Sequence, residues 1–285
     1  MFGGMRDDER RVAVVTGANQ GLGFALVDGL CRALGPEAAV YLTARDERRG
    51  ADAVAALCAR GSTPRFARLD VSDPAGVERF AAMVKVEHGG IDIVISNAVR
   101  RLVREAPFAE QVRPFVETSN IATTRLIEQL GPMLRDGGRF LIVASALGRL
   151  RYLPEPLRER FREARSLRAI DAVMLAYVDA VERGVAAADG WPEFINIPSK
   201  VGQVATMRAY ARTRRDEAER RGLVIDAVCP GMIDTASSRP WFEDMSKAQT
   251  PEAAAKDVIW LASAPRADIP YGELVQHRNI LAWDD

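Results

Sequence analysis

Short apolar runs alternate along this chain with longer segments in which apolar residues recur at helical spacing. The runs predict strands, and the longer segments predict helices of about ten or more residues between them. Such alternation favours crossover connections between parallel strands, with helices on both faces of the sheet. Continuous apolar runs also fit strands that are covered on both sides. Strands are predicted at residues 12–15, 38–43, 65–69, 91–96, 138–144, 223–229 and 272–276, and helices at residues 22–34, 47–60, 74–87, 108–134 with a break near Pro114, 199–221 and 251–262.

A glycine-rich turn follows the first predicted strand. Gly17, Gly21 and Gly23 have the spacing Gly-x-x-x-Gly-x-Gly, which differs from the commoner dinucleotide pattern Gly-x-Gly-x-x-Gly. Glycine tolerates positive φ angles and lets the backbone approach a ligand closely. The helix that begins near Gly21 offers free N–H groups and a partial positive charge, which suit a pyrophosphate. A plain strand-to-helix turn is the alternative interpretation.

Polar residues follow the next predicted strands, and ligands of such a sheet bind outside the carboxyl ends of its strands. Arg45 follows the second strand, where an arginine favours the 2′-phosphate of NADP over NAD. A solvated surface arginine is the alternative, because the same turn is crowded with charge. Asp70 follows the third strand, where its carboxylate suits the adenine amino group, or else caps the next helix. Asn97 follows the fourth strand.

Composition and charge exclude several classes of function. The 285 residues carry 39 basic and 39 acidic side chains, so bulk charge gives no reason to expect nucleic acid or an anionic membrane as partner. No apolar run approaches the ~20 residues of a spanning helix, and residues 1–11 lack the apolar core of a signal peptide. Three widely spaced cysteines predict reduced thiols in a cytoplasmic protein. Two histidines make a histidine-rich metal site unexpected, so no metal is predicted.

Five motifs in this order resemble the short-chain dehydrogenase/reductase superfamily, and within it the monomeric carbonyl reductases. The resemblance runs from residue 11 to about residue 276 and includes the Gly190-Trp191-Pro192 sequence. The five motifs are Thr16-Gly17-Ala18-Asn19-Gln20-Gly21-Leu22-Gly23, Leu42-Thr43-Ala44-Arg45-Asp46, Leu69-Asp70-Val71, His88-Gly89-Gly90-Ile91-Asp92 and Cys229-Pro230-Gly231.

The resemblance implies one α/β domain, a Rossmann-type doubly wound parallel sheet of about seven strands flanked by helices. It implies a helical insertion after the fifth strand at about residues 150–190, a small-molecule substrate and a monomer. Trp241 and Phe242 predict a substrate lid at about residues 235–248, because aromatic side chains can form an apolar wall for a bulky substrate. The resemblance also implies NADP(H) as the cofactor. The cofactor-binding residues that it implies are Gly17, Asn19, Gln20, Gly21, Leu22, Gly23, Arg45, Asp70, Val71, Asn97, Ala98, Lys200, Pro230, Gly231, Ile233 and Thr235.

The catalytic residues of such reductases match this chain incompletely. Asn120 fits the family asparagine behind a water chain, Ser145 fits the serine that polarises the carbonyl, and Lys200 fits the lysine. Four residues before that lysine, the family has a tyrosine that donates the proton, whereas this chain has Asn196. A second departure is Val99, at a position where the family usually has glycine beside the cofactor.

An asparagine in the acid position changes the expected chemistry. A carboxamide donates a hydrogen bond but has no proton to release near neutral pH. The chain is therefore expected to be an NADPH-dependent reductase of a carbonyl, imine or activated alkene that uses water or another donor. A non-redox enzyme (cyclase, dehydratase or isomerase) and a cofactor-binding protein without catalysis are the alternatives. Pro198 disfavours helix at Ile197, so Asn196 is alternatively only a polar residue ahead of a helix that starts near Pro198.

Two residues near these positions are candidate replacement acids. Tyr152 lies a few residues beyond Ser145, and Glu193 lies just ahead of Asn196. A ring that packs a loop is the simpler interpretation of Tyr152. The segment 199–221 is rich in arginine and predicts a basic amphipathic helix with a solvated face.

Overall fold

A computed structural model of this chain describes residues 10–284, and one eight-stranded sheet runs through it. The order of the strands is β3-β2-β1-β4-β5-β6-β7-β8, and all neighbours are parallel except β7 and β8. This confirms the doubly wound α/β fold, with one strand more than expected. The strands are β1 (Val12–Val15), β2 (Ala39–Ala44), β3 (Arg65–Arg68), β4 (Ile91–Ser96), β5 (Leu134–Val143), β6 (Val224–Val228), β7 (Leu274–Gln276) and β8 (Asn279–Leu281).

Ten α-helices are found in the described residues, and they cover both faces of the sheet. Helices α3, α5 and α8 pack apolar side chains against one face. Helices α1, α2 and α10 cover the other face. The helices are α1 (Gly21–Leu34), α2 (Glu47–Cys58), α3 (Pro74–His88), α4 (Phe108–Val116), α5 (Ala122–Leu130), α6 (Glu155–Glu163), α7 (Leu167–Glu182), α8 (Asn196–Thr213), α9 (Arg215–Arg221) and α10 (Pro251–Ser263). None of these described helices is long and apolar enough to cross a membrane.

The register of the central strands aligns their carboxyl ends. Val15 of β1 lies beside Leu42 of β2 on one side and Ile95 of β4 on the other. The strand order reverses between β1 and β4, and a crevice opens at such a point in doubly wound sheets. The loops that follow β1, β2, β4 and β5 therefore meet at one edge of the sheet.

The eighth strand was not expected from the sequence. β8 has only three residues and pairs with β7 in an antiparallel hairpin. The turn residues His277 and Arg278 have φ angles of 49° and 62°, a left-handed conformation that glycine or asparagine usually supplies. The sequence therefore lacks the ordinary signal for a hairpin at this position.

The long helical region predicted at residues 108–134 consists of four elements, the last of which is a 3-10 turn over Gly131–Met133. Pro114 lies inside α4, and the break follows it as a π-helical turn over Glu117–Ile121. α5 then ends at Leu130, and β5 begins at Leu134, four residues earlier than predicted. A π-helical turn inserts one extra residue and is frequent at functional sites.

The prediction of a solvated basic helix at residues 199–221 is wrong. α8 begins at Asn196 and ends at Thr213, and α9 carries most of the remaining charge. Val201, Val204 and Met207 of α8 are fully buried, since this helix lies between the sheet and the insertion. Pro198 is tolerated because the first N–H groups of a helix have no partner within it. Ile197 is helical despite the following proline.

The region after β5 contains the two helices α6 and α7. α7 packs against both α4 and α8, and its Tyr177 ring lies 4.8 Å from the ring of Trp191. Arg113 of α4 binds Glu182 of α7 through Nε at 2.8 Å and through Nη2. This added layer covers the side of the molecule that α4 and α8 would otherwise expose.

Candidate active site

The glycine turn after β1 is packed too closely for side chains. Gly17 has a φ angle of +63°, and a Cβ there would lie 2.8 Å from the Cα of Ala98. A Cβ on Gly23 would lie 2.6 Å from the carbonyl oxygen of Gly17. It would also lie 2.7 Å from Asn97 Nδ2. The turn after β1 and the loop after β4 therefore touch through backbone atoms.

Thr16 and Asn97 brace this contact with four hydrogen bonds. The backbone amides of Asn97 and Ala98 donate to Thr16 Oγ1 at 2.9 and 3.0 Å. Asn97 Nδ2 donates to the carbonyl oxygens of Thr16, at 2.9 Å, and Gly17, at 3.2 Å. Asn97 thus shapes the glycine turn. Sequence reasoning missed Thr16, for which the only signal is its position just before Gly17.

The first turn of α1 leaves donors available. Gln20 precedes the helix in extended conformation, and its side chain makes no capping hydrogen bond. Asn19 is half-buried and Leu22 is buried in the core, so Leu22 can meet a ligand only through its backbone. Gly21 has a φ angle of +56°. The amides at this helix end can accommodate an anion.

Arg45 and Asp70 lie at the ends of β2 and β3 as expected. Arg45 is exposed, and within residues 10–284 its guanidinium has no ion-pair partner. Asp70 Oδ1 accepts from the amide of Ser72 at 2.9 Å and from its hydroxyl at 2.6 Å, so this oxygen shapes a turn. Val71 is buried, and its carbonyl accepts from Arg125.

The loop after β6 is held by Gln249, which sequence reasoning missed. Gln249 Nε2 donates to the carbonyl of Pro230 at 2.6 Å, and the Gln249 backbone bridges to Ile233. Gly231 has a φ angle of +78°, and a Cβ there would lie 2.8 Å from Gln249 Nε2. Thr235 lies across from the glycine turn, with its Cγ2 3.5 Å from where a Cβ on Gly21 would be. Among the predicted residues of this loop, Thr235 therefore lies beside the first turn of α1.

Lys200 extends from α8 to the carboxyl end of β5. Its Nζ donates to the carbonyl of Val143 at 3.2 Å and to Gln203 Oε1 at 2.8 Å. Burial lowers the pKa of this ammonium to about 8. Ser145 follows Val143 by two residues, so Lys200 and Ser145 belong to one corner of the sheet edge.

Asn120 ties the π-helical turn to α8. Its Nδ2 donates to the carbonyl of Ser199 at 2.8 Å, and its Oδ1 accepts from the Ser199 hydroxyl at 2.7 Å. Both residues are buried. The turn thus docks directly beside Lys200, which follows Ser199 in the chain.

Ser145 and Asn196 keep polar groups available at this corner. The Ser145 hydroxyl accepts from the amide of Leu147 at 3.2 Å, and among the described residues it has no acceptor for its own proton. Asn196 is the first residue of α8, and its half-buried carboxamide has no hydrogen bond to another described residue. Residues four apart in a helix lie on one face, so Asn196 and Lys200 share a face of α8. The alternative of a helix that starts near Pro198 is therefore wrong.

The two candidate replacement acids are engaged or exposed. The Tyr152 hydroxyl accepts from Arg149 at 3.4 Å and from Arg151 at 3.5 Å. The hydrogen bond from Arg151 lowers the pKa of this phenol, and the one from Arg149 adds to it. Glu193 is exposed. Neither side chain makes a hydrogen bond to Ser145 or Lys200 in the part of the chain that the structure describes.

Aromatic rings anchor the predicted lid. The ring of Trp241 stacks on Phe108 with centroids 6.3 Å apart and lies 6.2 Å from Phe194. Phe194 precedes Asn196 by two residues, so this apolar group lies close to α8. Arg104 donates to the carbonyl of Pro240 at 3.0 Å. Residues 235–248 are thereby joined to the loop that follows β4.

Comparisons with known proteins agree with this arrangement. A sequence model described as short chain dehydrogenase matches residues 11–155. The chain is 32% identical over 281 residues to carbonyl reductase (NADPH) 1 of Rattus norvegicus, covering 96% of this chain and 99% of that protein. It is 34% identical over 280 residues to carbonyl reductase (NADPH) 3 of the same organism, covering 96% and 98%. The structure of salutaridine reductase from Papaver somniferum matches with a TM-score of 0.77 and 26% identity, covering 93% and 99%.

Proposed function

Because this chain belongs to the short chain dehydrogenase family, we propose that it is an NADP-dependent oxidoreductase of an atypical kind. Its proposed substrate is a small molecule with a carbonyl, imine or activated alkene. The observation that carries this proposal is the position of Lys200, whose ammonium reaches the end of β5 two residues before Ser145. The same edge of the sheet carries the glycine turn, where a dinucleotide binds in doubly wound folds.

The residues at this edge fit NADP(H). Gly17 and Gly23 leave a cradle that a Cβ would fill, and the first amides of α1 suit the pyrophosphate. Arg45 would hold the 2′-phosphate, and Asp70 with Val71 would meet the adenine. The pyrophosphate would be lined by Asn19, Gln20, Gly21 and Leu22. The ribose next to the loop after β4 would be lined by Asn97 and Ala98, and the nicotinamide by Pro230, Gly231, Ile233 and Thr235. Lys200 would donate to the ribose.

Bound NADPH would supply the hydride that reduces the substrate. Ser145 would donate its free proton in a hydrogen bond to the substrate oxygen or nitrogen. The carboxamide of Asn196 would orient the same atom, because it can donate but cannot release a proton. Asn120 would hold Ser199, and with it the start of α8, in place. The proton that an alcohol or a saturated product needs would come from water, whereas an iminium carbon needs none.

Asn196 favours a second candidate from another class. A site that lacks an acid four residues before Lys200 is compatible with a cyclase, dehydratase or isomerase. In such an enzyme the bound dinucleotide would be structural. A cofactor-binding protein without catalysis is the third. Ser145 favours catalysis, because its hydroxyl keeps a free proton in the described structure.

Purified protein is expected to bind NADPH and to oxidise it with at least one of three probes: an aromatic ketone, a cyclic iminium and an activated enone. Loss of NADPH absorbance measures the reaction, and product analysis measures conversion. Conversion of a probe without NADPH consumption would replace the reductase with the non-redox enzyme. Failure to bind NADPH at all would overturn the cofactor assignment.

The insertion supports a monomer. α7 packs against α4 and α8, and Arg113 pairs with Glu182 across this contact. We propose that this layer replaces contacts that another subunit would make. A cytoplasmic location is proposed with it, and the three free cysteines fit a reducing compartment.

Arg45→Ala is expected to weaken NADPH binding about tenfold and to leave NADH binding unchanged. The guanidinium is exposed, and a hydrogen bond from it to a charged 2′-phosphate is worth about 1.5 kcal/mol, which is close to a tenfold change in affinity. Titration of both cofactors measures the effect. Arg48→Ala is the matched control, because Arg48 is exposed in the same turn. An equal loss in both variants would contradict a specific phosphate contact.

A further inference from the structure

Gln203 is a buried carboxamide that bridges two parts of the candidate site. It lies one turn after Lys200 in α8 and is 2% exposed. Its Oε1 accepts from Lys200 Nζ at 2.8 Å, and its Nε2 donates to the carbonyl of Ser119 at 2.9 Å. Ser119 belongs to the π-helical turn that also carries Asn120. One side chain thus connects the lysine to this turn.

The bridge commits most of the hydrogen-bonding capacity of the lysine. An ammonium has three N–H donors. In Lys200 one goes to Val143 and one to Gln203, so a single N–H is left for a ligand. The two protein acceptors determine the direction of that third donor. We propose that Gln203 is a positioning residue that holds the Lys200 ammonium so that its one free N–H faces the cofactor ribose. This inference rests on the proposed function.

A carboxamide bridge also differs from a water molecule because it does not pass a proton from one neighbour to the other. Water accepts and donates through one atom and exchanges its protons, whereas Gln203 accepts at Oε1 and donates at Nε2. Lys200 therefore acts here as a fixed donor and not as part of a proton path toward Asn120. This agrees with Asn196, because an active site without a tyrosine acid does not need its lysine to be resupplied with a proton.

The hydrogen bond from Lys200 to Gln203 helps to stabilise the charged form of Lys200, because the other polar groups around the lysine are uncharged. Val143 and Gln203 present uncharged oxygens, and Asn120, Ser145 and Asn196 are neutral. Burial lowers the pKa of Lys200, and Cys229, at the end of β6, acts in the opposite direction and raises it. Because no carboxylate of residues 10–284 pairs with the ammonium, its hydrogen bond to Gln203 supplies part of what stabilises the charge.

The test is a titration of the lysine side chains in the cofactor-free protein, which is monitored by carbon NMR of labelled lysine. The chain has only four lysines, so Lys200 is assigned by the signal that Lys200→Met removes. Gln203→Leu removes the acceptor, and the titration midpoint of Lys200 is expected to fall. Gln203→Glu supplies a carboxylate at the same position, and the midpoint is expected to rise by about one pH unit. As the pH is raised, NADPH affinity is expected to fall at a lower pH in Gln203→Leu than in the wild-type protein. In Gln203→Glu it is expected to fall at a higher pH.

Thr123→Val is the matched control. Thr123 Oγ1 donates to the same Ser119 carbonyl at 3.0 Å but does not contact Lys200. This variant is expected to keep the wild-type midpoint even if it unfolds at a lower temperature. The inference is overturned if Gln203→Leu and Gln203→Glu both keep the wild-type midpoint, or if Thr123→Val moves it as far as Gln203→Leu does. If the midpoint is lowest in Gln203→Leu and highest in Gln203→Glu but the protein binds no NADPH, the contact between Gln203 and Lys200 stands and the proposed function is rejected.

Discussion

Asn196→Tyr is expected to raise the rate of carbonyl reduction by about 10²–10⁴-fold, because general acid catalysis typically contributes that much. The new phenol would stand one helical turn before Lys200 on the same face of α8. A nearby ammonium favours the ionised form of a phenol and lowers its pKa toward the working range. Steady-state kinetics with an aromatic ketone and NADPH measure the gain.

The surroundings of Asn196 suit this substitution. Asn196 is half-buried, and its carboxamide has no described partner to lose. Phe194, two residues before it, packs against Trp241, so apolar rings are close along the chain. The backbone at Asn196 is already helical, so tyrosine needs no change of conformation.

Asn196→Phe separates the proton from the ring. Phenylalanine has nearly the same shape as tyrosine but has neither a hydroxyl nor the carboxamide that would orient the substrate, so ketone reduction should stay at or below the wild-type level. Equal activation by both rings would attribute the gain to substrate packing and not to proton donation. No gain from tyrosine, in a protein that still binds NADPH, would mean that the site near Ser145 does not hold a carbonyl as proposed.

The glycine turn and the parallel sheet were predictable because each leaves a local signal. Continuous apolar runs mark strands covered on both faces, and the structure contains β1 and β4 at the predicted residues. Gly17 and Gly23 mark a backbone contact that a side chain would prevent. Arg45 and Ser145 follow parallel strands whose carboxyl ends lie at the same edge of the sheet, so the topology alone brings both residues to that edge.

Long-range packing decided the features that were missed or mistaken. The arginines of residues 199–221 suggested a solvated helix, but the insertion buries Val201 on one side of α8, and the sheet buries Met207 on the other. Gln203 has no motif, and its role depends on the π-helical turn that brings Ser119 toward it. A π-helical turn leaves no clear sequence signal, since it depends on how α4 and α5 pack against α8. Such partners become visible only in three dimensions.

Gly23→Ala is expected to weaken NADPH binding by about 100-fold or more. The new Cβ would lie within 2.7 Å of Ala18 and Asn97 Nδ2 and closer still to the Gly17 carbonyl. These neighbours are backbone or braced atoms, so the glycine turn would have to move away from α1. Hydrogen bonds to a charged group are worth about 1.5–3 kcal/mol each, and two displaced donors give this loss. Isothermal titration with NADPH measures it, with the melting temperature recorded on cofactor-free protein.

Gly29→Ala controls for damage to α1 itself. Gly29 lies in the same helix, where a Cβ would meet the side chain of Ile259 in α10 and not the glycine turn. Because this site is on the packed face, the variant should lose stability and keep its NADPH affinity. If Gly29→Ala weakened NADPH binding as much as Gly23→Ala at equal folded fraction, the loss would reflect the helix as a whole. Selective loss in Gly23→Ala instead ties the dinucleotide to the turn, where the backbone atoms of Gly17 and Ala98 approach each other and Thr235 lies beside Gly21.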